Sequence, residues 1–341
     1  MTAPLTYLTT LDLDDSWLEA LAQRCPELEI RCIPAAAPAE IADDVWASVD
    51  ILHTGDVFPL PRQAPRLRWI QLDTSGVEHV RAHPIWDTDT VITTLGGIAP
   101  VPMAEFTVMS LLSLAHHQPR LNDLRRQHLW PSGAERLATL TPLPVDGATA
   151  TVVGYGRIGR EVARLLHAFG LNVIGVRRRG TAAAPPEQLQ YDTGRGPAAE
   201  GVVEVQSIDE LDEILPRTDY LIVIVPRTAA TVGLLGADQL ARLKPGACLV
   251  DVSRGGVVVE SALLAALRSG HVRYASLDVF EDEPLSEESA WWDEPNCLVT
   301  PHVAGLAPRY REQVLTLLST NIVRYQEGQP LLNRADRATG Y

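Results

Sequence analysis

The sequence predicts an α/β protein built on parallel, doubly wound sheets, and three observations support this. Short apolar strands alternate with helical stretches in the first hundred residues and again from Thr149 onward, a pattern typical of parallel sheets covered by helices. Gly154, Gly156 and Gly159 stand between an apolar strand and an amphipathic helix, as in such folds. The length of 341 residues is that of about two domains.

The N-terminal hundred residues predict a compact α/β unit. The expected strands lie near 5–10, 28–34, 49–55, 67–74 and 91–97, with helices near 15–24 and 77–81. The next stretch, 103–117, is almost continuously apolar and is bounded by Pro102 and Pro119. A helix of this composition is expected to be buried between domains or subunits, and packing within a single core is the alternative.

The remainder of the chain predicts a second, more regular alternation. A surface excursion is expected over 121–146, a loop over 180–203, and a capping box at Ser207 and Glu210 that begins a helix. Strands are expected at 149–153, 172–177, 219–225, 247–252, 273–279 and 297–300, and helices at 157–169, near 207–214, near 237–242, at 260–269 and at 308–326.

Composition and charge exclude several classes of protein. The formal net charge of −14 disfavours nucleic-acid and anionic-membrane partners, because both require a basic surface. No apolar run reaches the roughly 20 residues of a membrane helix, and the N-terminus carries acids where a signal peptide carries basic residues. A cytoplasmic protein is therefore expected. The four cysteines stand singly, so neither a disulfide nor a metal site is expected.

The glycine pattern predicts a dinucleotide site. In a strand, turn and helix unit the first glycine permits the turn, the second admits the pyrophosphate, and the third lets helix and strand pack closely. The predicted cofactor-binding turn is Gly154, Tyr155, Gly156, Arg157, Ile158 and Gly159.

The end of the following strand indicates which dinucleotide is preferred. An acid there would hold the ribose hydroxyls of NAD, but Arg177, Arg178 and Arg179 occupy this place. Guanidinium groups can bind a 2′-phosphate, so NADP is favoured and NAD stays possible. A solvated basic turn is the alternative interpretation.

Three residues with complementary chemistry follow later strands. Arg254 comes after ACLVDVS, Glu283 after YASLDVFED and His302 after CLVTP. Ligands bind at the carboxyl ends of strands in open α/β sheets. An arginine suits a substrate carboxylate, a histidine can give and accept a proton near neutral pH, and a carboxylate can orient the histidine. Each residue alone also has an ordinary structural explanation, and their combination is what predicts an active site.

These residues stand in long blocks that resemble the D-isomer-specific 2-hydroxyacid dehydrogenase family, especially its glyoxylate/hydroxypyruvate reductase branch. The likeness runs from about Asp73 to Asn321 and is densest in TVVGYGRIGREVARLL, VDVSRGGVVVESALLAALRSG and CLVTPHVAG. The resemblance implies that Arg254 binds the substrate, that His302 is the acid/base and that Glu283 is its partner. It also implies that Pro226 and Asp278 contact the cofactor, and that the substrate meets Thr74, Ser75, Gly76, Gly97 and Ile98.

The same resemblance implies an architecture. A Rossmann cofactor domain, residues 101–304, would be inserted in a flavodoxin-like substrate domain formed by residues 1–100 and 305–341. Similar proteins form homodimers through the cofactor domain, and Trp130 is the candidate for an aromatic side chain that reaches the partner's active site. Ordinary packing is the alternative for Trp130.

The expected activity is NADPH-dependent reduction of a 2-oxo acid, either glyoxylate or hydroxypyruvate or a bulkier one, to the D-2-hydroxy acid. Two alternatives remain open: a phosphite-type oxidoreductase, and a dinucleotide-sensing, corepressor-like interaction module. Three positions depart from the family pattern: Asp251 stands in VDVSRG where an asparagine is usual, His116 where an arginine is common, and Arg227 where an apolar residue usually follows the proline.

Overall fold

The structure is a computed structural model that describes residues 4–178 and 203–337. Two sheets, each entirely parallel and each accompanied by helices, confirm the predicted α/β fold class. The described residues divide into two compact units. The first unit contains residues 4–98 and 308–337, and the second contains residues 99–178 and 203–307. Arg179 and nearly all of the loop expected at 180–203 lie outside the described residues.

The first unit is a five-stranded sheet in the order β2-β1-β3-β4-β5, the 2-1-3-4-5 order of flavodoxin-like folds. Tertiary packing places the C-terminal helix α11 against α1, so the chain returns to this unit at its end. The elements are β1 (Leu5–Thr9), α1 (Asp15–Arg24), β2 (Leu28–Cys32), α2 (Asp43–Ser48), β3 (Ile51–Thr54), β4 (Trp69–Leu72), α3 (Glu78–Arg81), β5 (Val91–Thr93) and α11 (Tyr310–Gln326), with short 3-10 helices at Pro38–Glu40 and Pro84–Asp87.

The second unit is a seven-stranded sheet in the order β12-β11-β10-β9-β6-β7-β8. It contains the 3-2-1-4-5-6 order of a Rossmann fold with one further strand at its edge. Its elements are α4 (Pro100–Ala115), α5 (Gln118–Arg126), α6 (Gly133–Leu140), β6 (Thr149–Val153), α7 (Arg157–Ala168), β7 (Asn172–Arg177), β8 (Glu204–Ser207), α8 (Leu211–Ile214), β9 (Tyr220–Val223), α9 (Ala237–Arg242), β10 (Ala247–Asp251), α10 (Glu260–Arg268), β11 (Val272–Leu277) and β12 (Cys297–Val299), with 3-10 helices at Ile208–Glu210 and Leu215–Arg217.

Most predicted elements are confirmed to within two or three residues, and the capping box at Ser207 and Glu210 is present. The prediction missed α2, β8 and the two helices α5 and α6 inside the excursion at 121–146. Both are short, with eight residues in α6 and four in β8, and no residue of either is buried, so neither adds a run of core residues to the sequence pattern.

The apolar helix predicted after Pro102 is α4, and most of its apolar surface is buried inside its own unit. Ala104, Val108, Leu111 and Leu114 belong to a core shared with α7 and the sheet. Packing within one core therefore explains most of its composition. Met109 is the large side chain that α4 exposes. None of the helices in the described part of the chain combines the length and hydropathy that a membrane span requires.

Candidate active site

In the turn after β6, two positions must be glycine because a side chain there would collide with backbone atoms. Gly154 has φ +109°, and the N–H groups of Gly154 and Tyr155 donate to the Val176 carbonyl oxygen at 3.0 and 2.9 Å. A Cβ on Gly154 would lie 2.4 Å from the Ile224 carbonyl oxygen, and a Cβ on Gly159 would lie 2.2 Å from the Gly154 oxygen. Neither position accepts a larger residue without displacing backbone.

Gly156 differs from the other two glycines because a Cβ there would meet no atom within 4 Å. This residue is the N-cap of α7, and no side chain caps the helix. The backbone at the N-terminus of α7 is therefore open to close approach by a ligand. Such a helix N-terminus suits a pyrophosphate, so the turn fits the dinucleotide predicted from sequence.

The other predicted cofactor residues lie around this turn. The ring of Tyr155 covers Gly175, where a Cβ would approach it to 2.5 Å, while Arg157 and Ile158 are half-buried in the first turn of α7. Arg177 is the half-buried last residue of β7, directly after the Val176 carbonyl that holds the turn, and Arg178 is exposed. The prediction for Arg179 falls outside the described residues.

The loop after β10 presents Arg254. Its Nη1 donates to the Ser253 carbonyl oxygen at 2.7 Å, and the side chain is half-buried. The next residue, Gly255, lies against the backbone that follows β11, because a Cβ there would be 1.8 Å from the Phe280 carbonyl oxygen. This close approach packs the loop that carries Arg254 against the segment that follows the neighbouring strand β11.

His302 and Glu283 form a hydrogen-bonded pair. The imidazole Nδ1 lies 2.7 Å from the Glu283 Oε2, and Glu283 Oε1 accepts the Phe280 N–H at 2.9 Å. The imidazole is 43% exposed, and within residues 4–178 and 203–337 its Nε2 has no hydrogen-bond partner. His302 has φ +52°, an uncommon conformation for a residue other than glycine. Residues held in such backbone conformations cluster at functional sites.

Asp278 holds the loop that carries His302. Asp278 is 2% exposed. Its Oδ1 accepts hydrogen bonds from the Thr300 hydroxyl at 2.6 Å and from the Val303 N–H at 2.9 Å. Its Oδ2 accepts a hydrogen bond from the Ala304 N–H at 2.8 Å. The His302 N–H also donates to the Asp278 carbonyl oxygen at 3.0 Å. Sequence reasoning expected only a cofactor contact from Asp278 and missed this role, for which the sequence carries no local signal.

The predicted substrate residues of the first unit lie together after β4 and β5. The Thr74 hydroxyl donates to the Gly76 carbonyl oxygen at 2.8 Å, and the Leu95 N–H donates to the Thr74 carbonyl oxygen at 2.8 Å. Ser75 is exposed and Gly97 has φ +79°, whereas the Ile98 side chain is buried. Pro226, in the second unit, is half-buried and its carbonyl oxygen accepts the Thr231 hydroxyl at 2.6 Å.

A buried histidine beside this loop was not anticipated. His53 is fully buried, and its Nδ1 lies 2.7 Å from the Tyr7 hydroxyl. Its Nε2 faces the Asp73 carboxylate at 3.5 Å, immediately before Thr74. Burial and the Asp73 charge together raise the pKa of Tyr310 to about 12. Asp73 thus places a carboxylate at the start of the predicted substrate loop.

Comparison with known proteins identifies the class to which this site belongs. A model of the D-isomer specific 2-hydroxyacid dehydrogenase, NAD binding domain, matches residues 108–304. The glyoxylate reductase of Thermococcus gammatolerans is 29% identical over 306 residues, which are 88% of this chain and 86% of that protein.

Two solved structures are similar over the whole chain. A D-isomer specific 2-hydroxyacid dehydrogenase from Xanthobacter autotrophicus Py2, in complex with NADPH and MES, has a TM-score of 0.82 at 29% identity, covering 99% of this chain and 100% of that one. An NADPH-dependent glyoxylate/hydroxypyruvate reductase from Sinorhizobium meliloti, in complex with NADP and sulfate, has a TM-score of 0.79 at 29% identity and the same coverage. The chain therefore belongs to the D-isomer specific 2-hydroxyacid dehydrogenase family, whose enzymes interconvert 2-oxo and 2-hydroxy acids with NAD(P)(H), and the resemblance inferred from sequence is confirmed.

Proposed function

We propose that this protein reduces a 2-oxo acid, glyoxylate or hydroxypyruvate or a bulkier homologue, to the D-2-hydroxy acid with NADPH. The observation that carries the proposal is the His302–Glu283 pair at 2.7 Å. This pair, Arg254 and the glycine turn all follow strands of one parallel sheet. Carboxyl ends of parallel strands lie at the same edge, where ligands bind in such folds.

Each of the three side chains has a distinct role in this reaction. The Arg254 guanidinium binds the substrate carboxylate, because its fork matches the two oxygens. His302 donates a proton from Nε2 to the carbonyl oxygen and accepts one in the reverse direction. Glu283 accepts the hydrogen bond from Nδ1, which fixes the ring and stabilises the imidazolium. The bound dinucleotide supplies the hydride.

The preference for NADPH rests on charge near the glycine turn. Arg177 ends the strand whose Val176 carbonyl holds that turn, and Arg178 follows it. Guanidinium groups at this strand end favour a 2′-phosphate. The Xanthobacter and Sinorhizobium structures were solved with NADPH and NADP respectively, which supports the same assignment here.

We assign cofactor binding to the second unit, which also carries Arg254 and His302, and we assign further substrate contacts to the first. The open turn at Gly156 supports the former. The loop of Thr74, Ser75 and Gly76, together with Gly97 and Ile98, is the predicted contact for the substrate in the latter. Contacts of Pro226 and Asp278 with the cofactor also stay predictions from the family resemblance.

We further propose that the protein forms a homodimer through its second unit. Trp130 is 86% exposed and Leu137 on α6 is 76% exposed, and aromatic side chains are enriched at protein interfaces. The Trp130 ring lies 5.9 Å from the Arg136 guanidinium. A cytoplasmic location stays a prediction of the sequence.

The proposal is tested by following NADPH oxidation with a panel of 2-oxo acids. Arg254→Ala and His302→Ala should each lower kcat/KM by about a hundredfold or more. Arg177→Ala should lower the affinity for NADPH and leave the affinity for NADH unchanged. Arg268→Ala is the matched control, because Arg268 is an exposed arginine on α10. Turnover that survives both Arg254→Ala and His302→Ala would exclude this mechanism.

A further inference from the structure

The carboxylate of Asp251 organises the loop that carries Arg254. Asp251 is the last residue of β10 and is 3% exposed. Its Oδ1 accepts the Ser253 N–H at 2.9 Å and the Ser253 hydroxyl at 2.5 Å. The Ser253 carbonyl oxygen in turn accepts the hydrogen bond from Arg254 Nη1 at 2.7 Å. Asp251 Oδ1 thus sets the conformation of Ser253, and the Ser253 carbonyl oxygen in turn binds the Arg254 side chain.

The surroundings of Asp251 provide little compensation for a buried negative charge. Asp278 at the end of β11 is acidic and donates its N–H to the Asp251 carbonyl oxygen at 3.0 Å. Glu260 at the start of α10 is a second acid, with its oxygens bound to the Glu281 N–H and the Trp291 indole. The cavity that Asp251 and Glu260 line has a volume of about 10 Å³, the lower limit for one water.

The cations nearby belong to the loop and to the end of β9. They are Arg254 itself and Arg227, whose guanidinium lies about 3.5 Å from the position of a Cβ on Gly256. Within the part of the chain that the structure describes, no cation lies at ion-pair distance from Asp251. A charge on this carboxylate therefore acts directly on the field around the arginine loop.

We propose that Asp251 is a positioning residue for Arg254, and that the charge state of its carboxylate tunes how strongly Arg254 binds an anionic substrate. The inference rests on the proposed 2-oxo acid reductase function. In both charge states Oδ1 can accept the two Ser253 hydrogen bonds, so the loop conformation is kept. The difference between the states is one negative charge, which hydrogen bonds through Ser253 connect to the guanidinium.

Burial raises the pKa of Asp251 to about 7; the hydrogen bonds from Ser253 oppose this rise, and the charges of Asp278 and Glu260 add to it. The charge of this carboxylate thus changes near neutral pH. Above this pH the ionised carboxylate opposes the substrate's negative charge, so the KM for the 2-oxo acid should rise as the pH increases.

Two variants separate positioning from charge. Asp251→Asn keeps an acceptor for Ser253 but cannot ionise, so its KM should lack the wild-type increase, which we expect to be on the order of fivefold between pH 6 and pH 8. Asp251→Ala loses the acceptor and should lower kcat/KM at every pH. Ser253→Ala is the matched control: it retains the titrating carboxylate but removes a hydrogen bond that lowers the pKa of Asp251, so its KM should still increase with pH, at a higher pH than in the wild type. Any other pH-dependent step of the reaction is common to all forms and cancels in the ratio of variant to wild-type KM.

Thermal unfolding provides a readout that needs no catalysis. A folded-state pKa above the ordinary aspartate value of 3.8 means that the native protein retains a proton that the unfolded chain has lost, so wild-type stability falls as the pH rises from about 4 to about 7. Relative to Asp251→Asn, the wild-type Tm should fall by about 5 °C from pH 5 to pH 8. A Tm difference that does not depend on pH would overturn the proposal.

The failure of this inference and the failure of the proposed function give different results. If wild-type enzyme turns over 2-oxo acids and the ratio of the Asp251→Asn KM to the wild-type KM is independent of pH, the charge does not reach Arg254 and the inference is wrong. If no 2-oxo acid is turned over, the affinity of the unreactive analogue oxamate for the NADPH-loaded protein takes the place of KM. A pH-dependent affinity ratio would then support the role of Asp251, although the proposed function had failed.

Discussion

Replacement of Asp278 by asparagine tests how the loop of His302 is held. The aspartate accepts three hydrogen bonds, from the Thr300 hydroxyl and from the backbone N–H groups of Val303 and Ala304. Asparagine can keep the two bonds to Oδ1 but presents an NH₂ group to the Ala304 N–H, which is buried. A hydrogen bond to a charged group contributes roughly 1.5–3 kcal/mol, and an unsatisfied buried donor costs about 1–3 kcal/mol.

We therefore expect Asp278→Asn to lower the free energy of unfolding by about 2 kcal/mol. Among the described residues no cation forms an ion pair with Asp278, so removing its buried charge offsets part of the loss. Urea denaturation measures the change, and kcat should fall because the loop that carries His302 is less well held. Thr300→Val is the control, since it loses only the hydroxyl bond and should cost about 1 kcal/mol.

The alternative role of Asp278 gives a different result. If the unfolding free energy of Asp278→Asn stays within about 0.5 kcal/mol of wild type while the Kd for NADPH rises, the residue acts as a cofactor contact, and the reasoning from the three hydrogen bonds is refuted. Unchanged unfolding together with unchanged kcat would refute it as well.

The remaining predictions concern the glycine turn, the acid/base pair and the exposed aromatic. Gly159→Ala should destabilise the protein by about 1–3 kcal/mol because its Cβ meets backbone. Gly156→Ala should unfold like wild type and raise the Kd for NADPH about tenfold or more. If Gly156→Ala were the destabilised variant and Gly159→Ala the one with weaker NADPH binding, the assignment of the two glycines would be contradicted. Glu283→Gln should lower kcat at least tenfold with little change in the Kd for NADPH, and wild-type kcat would show that the carboxylate is dispensable. Trp130→Ala should weaken self-association in sedimentation velocity, while Trp292→Ala, which removes another exposed tryptophan, should leave it unchanged; equal effects would exclude a specific role for Trp130.

The elements that the sequence predicted well are those with strong local signals. The strands β6 and β7 and the helix α7 have long apolar or amphipathic patterns, and the glycines between them have one demanding conformation. The capping box at Ser207 is equally local. By contrast, α6 and β8 are short and bury no residue, and they were not predicted. The apolar helix α4 was recognised, but its partner α7 could not be inferred from its composition.

The candidate site divides in the same way. Arg254, Glu283 and His302 could be proposed from sequence, because each residue type has an evident chemical role and follows a predicted strand. The contacts that hold these three residues in place could not be predicted. Asp278 reaches Val303 and Ala304 from 25 and 26 residues away in the chain, and Gly255 lies on the backbone of Phe280. Contacts of this kind depend on which strands are neighbours in the sheet.

By itself, the sequence determined the parallel α/β class, the dinucleotide turn and the identity of the residues able to do chemistry, because these follow from periodicity, backbone conformation and side-chain type over short segments. Only the tertiary structure decided which carboxylates became buried supports of the site. Asp251 and Asp278 are ordinary acids in the sequence, and they acquire their roles because adjacent parallel strands end side by side at one edge of the sheet, away from solvent.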